Sequence, residues 1–123
     1  MISLPIILAV KPLGAVAIGA FLGGLARWGL SRFPGGLAGT LLANLFGSIA
    51  IGLSLGVGPQ WQMFLGIGFA GALSTWSTLA RELGQLVKDR NWRRAGMYTA
   101  ATAALGLAGA YIGYLGAGLD LPA

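Results

Sequence analysis

Cysteine and histidine are both absent from this chain, and three acidic residues stand against eight Lys and Arg. Without Cys or His there are no disulfides, no thiol chemistry and none of the usual ligands for zinc, haem or copper. No carboxylate lies within an apolar stretch to serve a nucleophile as base, so the sequence points away from an enzyme. Charge of either sign is scarce. Only 9% of the 123 residues are charged, where a soluble domain carries roughly 25%, and residues 33–80 and 95–119 contain none. Met1 to Val10 lack a basic n-region and a cleavage site, so no secretory signal is expected there.

What fills the chain is apolar, 56% of it, with 22 glycines. A bilayer crossing takes about 20 apolar residues, so the two charge-free stretches hold about two crossings and one. Glycine costs about 1 kcal/mol in a water-exposed helix, yet it is frequent in membrane helices because it lets backbones approach. The expected architecture is an all-α integral membrane protein. It is a single domain, residues 1–123, of four transmembrane helices near 13–30, 37–57, 61–79 and 94–115. Ile2 to Val10 is too short to cross alone and either extends the first helix or lies at the interface. The third stretch continues as a polar tail, Arg81 to Arg90. So small a chain cannot enclose a pore by itself, which implies an oligomer. No internal repeat is visible, so inverted symmetry of the transporter kind has to come from pairing two chains.

The first loop holds Arg32 and the third holds Lys88, Arg90, Arg93 and Arg94, with Arg81 close by. Only Lys11 and the amino terminus oppose them. The positive-inside rule therefore puts the first and third loops in the cytoplasm, and the chain is expected to be multi-pass in the inner or plasma membrane. A net charge of +5 would suggest nucleic acid in a soluble domain. Here the anionic membrane surface accounts for it, and no nucleic-acid partner is expected.

Polar groups within a membrane each need a reason. Ala15, Gly19 and Gly23 recur every fourth residue and offer a smooth face to a neighbouring helix. Arg27 reads equally as a snorkelling interface residue and as a fixed positive charge at a vestibule that attracts anions. Asn44, Ser48 and Gly52 share a helical face. Asn44 can join helices by hydrogen bonds, or its NH2 group can donate to an anion. Ser74, Thr75, Ser77 and Thr78 place four hydroxyls within five residues of the most apolar part of the chain. A break in the third helix there would free carbonyls for a cation and donors for an anion. Tyr98, Thr102 and Gly106 are again four apart; an interfacial tyrosine explains the first, but nothing ordinary explains Thr102. With no acid in a span, the polar set of donors plus arginine suits an anion.

Taken together, these pieces resemble the Fluc/CrcB family of fluoride channels across nearly the whole chain. The matching runs are Gly23-Gly24-x-x-Arg27, then Gly39-Thr40-Leu41-x-x-Asn44-x-x-Gly47-Ser48, then Gly66-x-Gly68-Phe69-x-Gly71-x-x-Ser74-Thr75-x-Ser77-Thr78. The resemblance implies an antiparallel dimer with two fluoride paths between subunits, and passive release of cytoplasmic fluoride. It also implies a structural Na+ held by the backbone carbonyls of Gly71 and Ser74. Asn44 matches the pore-lining asparagine of the family, Thr75 and Thr78 lie in the hydroxyl-rich break, and Tyr98 and Thr102 match its polar track. Trp76 and Leu79 stand where the family usually has pore-lining phenylalanines: Trp76 offers a bulkier aromatic edge and Leu79 offers none. That departure and the one-sided loop charge favour an unlike antiparallel partner over a second copy. Against this stand a small multidrug-type proton-coupled exporter, which needs a buried carboxylate, and a purely structural membrane protein, including a non-conducting partner subunit.

Overall fold

A computed structural model describes residues 4–74 and 76–118. Thr75, assigned above to the hydroxyl-rich break, lies outside the described residues. Every regular element among the described residues is helical. The first helix, α1 (Leu4–Leu30), starts well before Leu13, so the apolar residues before Lys11 extend it. Its 27 residues span about 40 Å, more than the roughly 30 Å of a hydrocarbon core.

The reversal after α1 follows from local backbone chemistry. Phe33 leaves helical geometry (φ −150°, ψ 114°), and Gly35 and Gly36 take φ of +72° and +60°. Those two values lie in the left-handed region, which glycine enters without a Cβ clash. Helix α2 (Gly36–Ser54) then runs back. After a short turn, Pro59 opens α3 (Pro59–Gln62), where its missing N–H costs nothing. The chain continues through a wide π-helical stretch, Met63–Ala70, into α4 (Gly71–Leu73). Ser74 is extended (φ −82°, ψ 150°) and interrupts the helical path. Helix α5 (Trp76–Lys88) follows, so residues read above as a polar tail from Arg81 are helical as far as Lys88. The side chain of Asn91 then accepts from the Arg94 N–H and caps α6 (Trp92–Gly116).

Glycine sets how these helices meet. A methyl on Gly19 would fall on the Phe64 carbonyl, one on Gly23 on the Phe69 carbonyl, and one on Gly68 on the Val16 carbonyl. The same closeness joins α2 to α6, where Gly52 faces Ala110 and Tyr114 while Gly113 faces Ile49 and Leu53. The smooth face read from Ala15, Gly19 and Gly23 is thus the one that packs on the π-helical stretch. These pairings make α2 and α6 parallel to each other, with α1 running the opposite way.

The interior is thin. Leu73 is the largest fully buried side chain, whereas Leu13, Phe21 and Leu107 are each at least 66% exposed. Leu4–Ser54 and Pro59–Lys88 are long and apolar enough to cross a membrane by length and composition. Apolar outward faces along whole helices suit hydrocarbon, where the helix satisfies its own backbone.

Gly52→Leu is expected to destabilise the protein by roughly 1–3 kcal/mol, because overpacking forces α2 and α6 apart. Gly14→Ala, with nothing near its added methyl, should leave stability within about 0.5 kcal/mol of the parent. Thermal-unfolding midpoints in one detergent would check both.

Candidate functional site

Residues Thr78, Arg81, Glu82 and Gln85 fall on one face of α5, and Leu79, Leu83 and Leu86 on the other. The apolar face packs against a small buried cluster of Leu86, Ala95 and Tyr98, with Leu37, Leu41, Leu79 and Leu83 around it. The polar face thereby turns towards α1 and α2. Between them opens a cavity of about 730 Å³, lined in part by Arg27, Thr40, Thr78, Arg81, Glu82 and Arg94. Three guanidiniums and one carboxylate share this space, so its field favours anions.

Glu82 is the residue that organises the inner wall. Thr40 Oγ1 donates to Glu82 Oε1 at 2.5 Å, and Tyr98 OH donates to Glu82 Oε2 at 2.9 Å. One carboxylate thus joins α2, α5 and α6. Hydrogen bonds to an ionised group are stronger than neutral ones, and both hydroxyls are on buried residues, Thr40 at 8% and Tyr98 at 4% exposure. Glu82 follows the third apolar stretch in sequence, so a set of donors plus arginine, with no acid in a span, omits a carboxylate that the fold brings to the inner wall. The helical spacing of Thr78, Glu82 and Gln85 against the three leucines would turn the carboxylate away from the core, and only the contacts with Thr40 and Tyr98 place it on the inner wall. The cavity residues Thr40, Arg81 and Arg94 were likewise legible only as motif or loop residues.

The candidate residues divide between this cavity, the bundle beyond it and the outer surface. Arg27 and Thr78 line it, and Tyr98 reaches it through Glu82. Farther along α6, the Thr102 hydroxyl is buried with no hydrogen-bond partner among the described residues. The next turn brings Gly106 beside Ser48 Oγ, 3.6 Å from where a Cβ would sit. Ser48 Oγ in turn donates to the Asn44 carbonyl at 2.8 Å, and the Asn44 side chain is half-buried on α2. Ser74 stands against Gly47, and its hydroxyl donates back to the Ala70 carbonyl at 2.8 Å. Leu79 packs in the Leu86–Ala95–Tyr98 cluster. Trp76, at 85% exposure, and Gly71 lie on the outer surface of the single chain rather than in the cavity.

Comparison with known proteins gives a consistent result. The sequence model of the family described as CrcB-like protein, Camphor Resistance (CrcB), matches residues 14–114. The chain is 40% identical over 99 residues to fluoride-specific ion channel FluC 2 of Corynebacterium diphtheriae, covering 80% of this chain and 94% of that one. It is 40% identical over 106 residues to fluoride-specific ion channel FluC 1 of Geobacillus kaustophilus, with 80% and 91% covered. Against fluoride-specific ion channel FluC of Nitrosomonas europaea the identity is 38% over 90 residues, with 63% and 71% covered.

Replacing Glu82 by Leu should cost more stability than removing either hydroxyl. It leaves the buried Tyr98 hydroxyl unpaired, at about 1–3 kcal/mol, and leaves Thr40 Oγ1 only its long bond to the Gly36 carbonyl at 3.4 Å, while Tyr98→Phe removes one bond worth roughly 1.5–3 kcal/mol, its acceptor being charged. A double-mutant cycle of Thr40→Val and Tyr98→Phe is expected to show coupling through their shared carboxylate.

Proposed function

This chain belongs to the CrcB-like family, and from that premise we propose that it is a fluoride-selective ion channel releasing cytoplasmic fluoride down its electrochemical gradient. The observation that carries the reading is the cavity of three arginines and the Thr40 and Thr78 hydroxyls, in a chain 40% identical to fluoride-specific channels. A channel performs no bond chemistry, so no residue is assigned a catalytic role.

Fluoride is small and strongly hydrated, so its path has to replace water with hydrogen-bond donors at each step. Arg27, Arg81 and Arg94 concentrate the anion in the cavity, where Thr78 offers a hydroxyl. The Thr40 and Tyr98 hydroxyls point at Glu82, so an anion that reaches them competes with that carboxylate for their protons. Deeper along α6, the unpartnered Thr102 hydroxyl is a donor in an apolar wall, and Asn44 on α2 carries two more N–H groups. The edge of the Trp76 ring is partly positive and extends the same series. Thr75 belongs to it by its place in the motif. Leu79 supplies apolar wall rather than a contact to the ion.

The protein is a membrane protein by its family. We read it as four spans, the third broken at Ser74, multi-pass in the inner or plasma membrane with the basic end cytoplasmic. An antiparallel second subunit would cover the surface on which Trp76 and Gly71 are exposed. The Gly71 and Ser74 carbonyls flank the end of α4, where helix carbonyls lack an intrahelical donor. Such hard oxygens suit Na+, and among the described residues no cluster of His, Cys, Asp or Glu offers a competing metal site. Bound there, the ion would brace the break without entering the transport path.

One observation favours an unlike partner over a second copy. Every basic residue except Lys11 lies at the end formed by the two turns around 31–35 and 89–91. That bias selects one orientation, so an antiparallel partner needs the opposite one.

Fluoride efflux from liposomes holding this chain alone, followed by a fluoride electrode with chloride as control, tests the reading. Selective release establishes a self-sufficient channel; release only after an oppositely oriented relative is added establishes an unlike pair; no release in either case overturns the assignment. In whichever assembly conducts, Asn44→Leu and Thr78→Val are expected to slow fluoride at least about tenfold, the effect of 1.4 kcal/mol on the barrier. Thr102→Val should separate function from structure. Removing an unpaired buried hydroxyl is neutral or stabilising, so flux should fall while the unfolding midpoint holds or rises. Unchanged flux in all three variants would instead leave these residues a packing role.

A further inference from the structure

The basic end carries more charge than the cavity uses. Arg27, Arg81 and Arg94 line that space, but Arg32, Lys88, Arg90 and Arg93 do not. None of these four cations makes an ion pair among the described residues. Asp89, beside them in sequence, accepts from Gln85, and Glu82 is occupied by Thr40 and Tyr98. Three exposed aromatic residues lie beside them: Trp28 at 60%, which also lines the cavity mouth, Phe33 at 85% and Trp92 at 64%. The Arg32 guanidinium stacks on the Trp28 ring, 5.2 Å from its centroid, an arrangement that steadies the group while leaving its N–H edge available.

We propose that this outer rim, centred on Arg32 with Trp28 and Phe33 and on Trp92 with Arg93, is a binding site for anionic phospholipid headgroups. The helices below it face outward with apolar side chains, so the rim sits where hydrocarbon gives way to phosphate. Exposed Trp and Phe belong at that depth, and a stacked arginine presents the planar fork that matches a phosphate. The four outer cations lie outside the cavity that concentrates fluoride, so the transported ion does not account for them. A soluble polyanion would meet the charge but would leave Phe33 and Trp92 without an apolar neighbour. The charge that orients the chain would then also hold it against the cytoplasmic leaflet.

Lipid retention tests this without any measurement of flux, so its failure and that of the channel reading are distinguishable. The purified chain is incubated in detergent with equal amounts of phosphatidylglycerol and phosphatidylcholine, and bound lipid is counted by native mass spectrometry. Phosphatidylglycerol should be retained in preference. The R32Q/R93Q variant should bind it roughly twenty-five-fold more weakly, since a juxtamembrane cation near the surface contributes about fivefold each. R32K/R93K, which keeps the charge without the planar fork, should fall between the parent and R32Q/R93Q, and Arg27→Gln, altered within the cavity, should leave the preference unchanged. Equal retention of the two lipids by the parent chain, or undiminished preference in R32Q/R93Q, overturns the proposal. Loss of preference in Arg27→Gln alone would move the lipid phosphate into the cavity and overturn it as well.

Discussion

At Gly19, Gly23, Gly52 and Gly113 a crossing segment brings its own backbone to the place where a side chain would begin. Two helices that meet this way exchange dispersion contacts over their full width and need no large interdigitating side chains. In hydrocarbon, where burying a leucine gains little over leaving it in lipid, close backbone approach is the main source of helix association. It also explains why a chain of this size keeps its large apolar residues outside. Leu73 is fully buried, while leucines and phenylalanines line the exterior. The remaining features of the fold hang on the spacing that these glycines permit.

Within that spacing, polar groups are tolerated where they answer one another. Glu82 is a charged residue on a helix with a clear apolar face, yet two hydroxyls from different helices meet it. The contact fixes the depth of α5 against α2 and α6, close to the interruption at Ser74. Positions for donors are thereby set on a rigid inner wall, while the guanidiniums of Arg27, Arg81 and Arg94 remain at the mouth. Thr102 is the exception, since its buried hydroxyl is unanswered among the described residues. An apolar residue would fit there at lower cost, so packing alone gives no reason for its hydroxyl.

Charge is distributed by a different rule from the donors. Donors run through the bundle; cations other than Lys11 collect at one end, some lining the cavity and others beside the exposed Phe33 and Trp92. A strong one-ended bias gives the chain a preferred orientation in any membrane with an electrical and lipid asymmetry. It bears on assembly too, because an antiparallel arrangement of identical chains would have to set half of them against that preference.

How much of this was legible beforehand differs by residue. The charge-free stretches, the glycine spacing of Ala15, Gly19 and Gly23, and the order of the Gly-Thr-Asn-Ser and Gly-Ser-Thr runs come from the sequence alone. They rest on one-dimensional quantities: the thickness of a bilayer, the pitch of a helix, the scarcity of polar groups in apolar runs. The early start of α1 was open between a helical extension and an interfacial segment, and the helical continuation through Arg81 was not legible, because a charge marks the membrane surface without saying whether the helix stops there. Nor was the role of Glu82. Position in sequence put it beyond the apolar stretch, and only the meeting of α2, α5 and α6 turned its carboxylate onto Thr40 and Tyr98. A hydrogen bond between residues 42 positions apart depends on how the helices rotate about their axes, and that rotation is decided by packing rather than by pattern. Composition and spacing are enough to say what kind of solvent this protein lives in and which groups it can offer an ion. Which of those groups face one another follows from the packing of the helices.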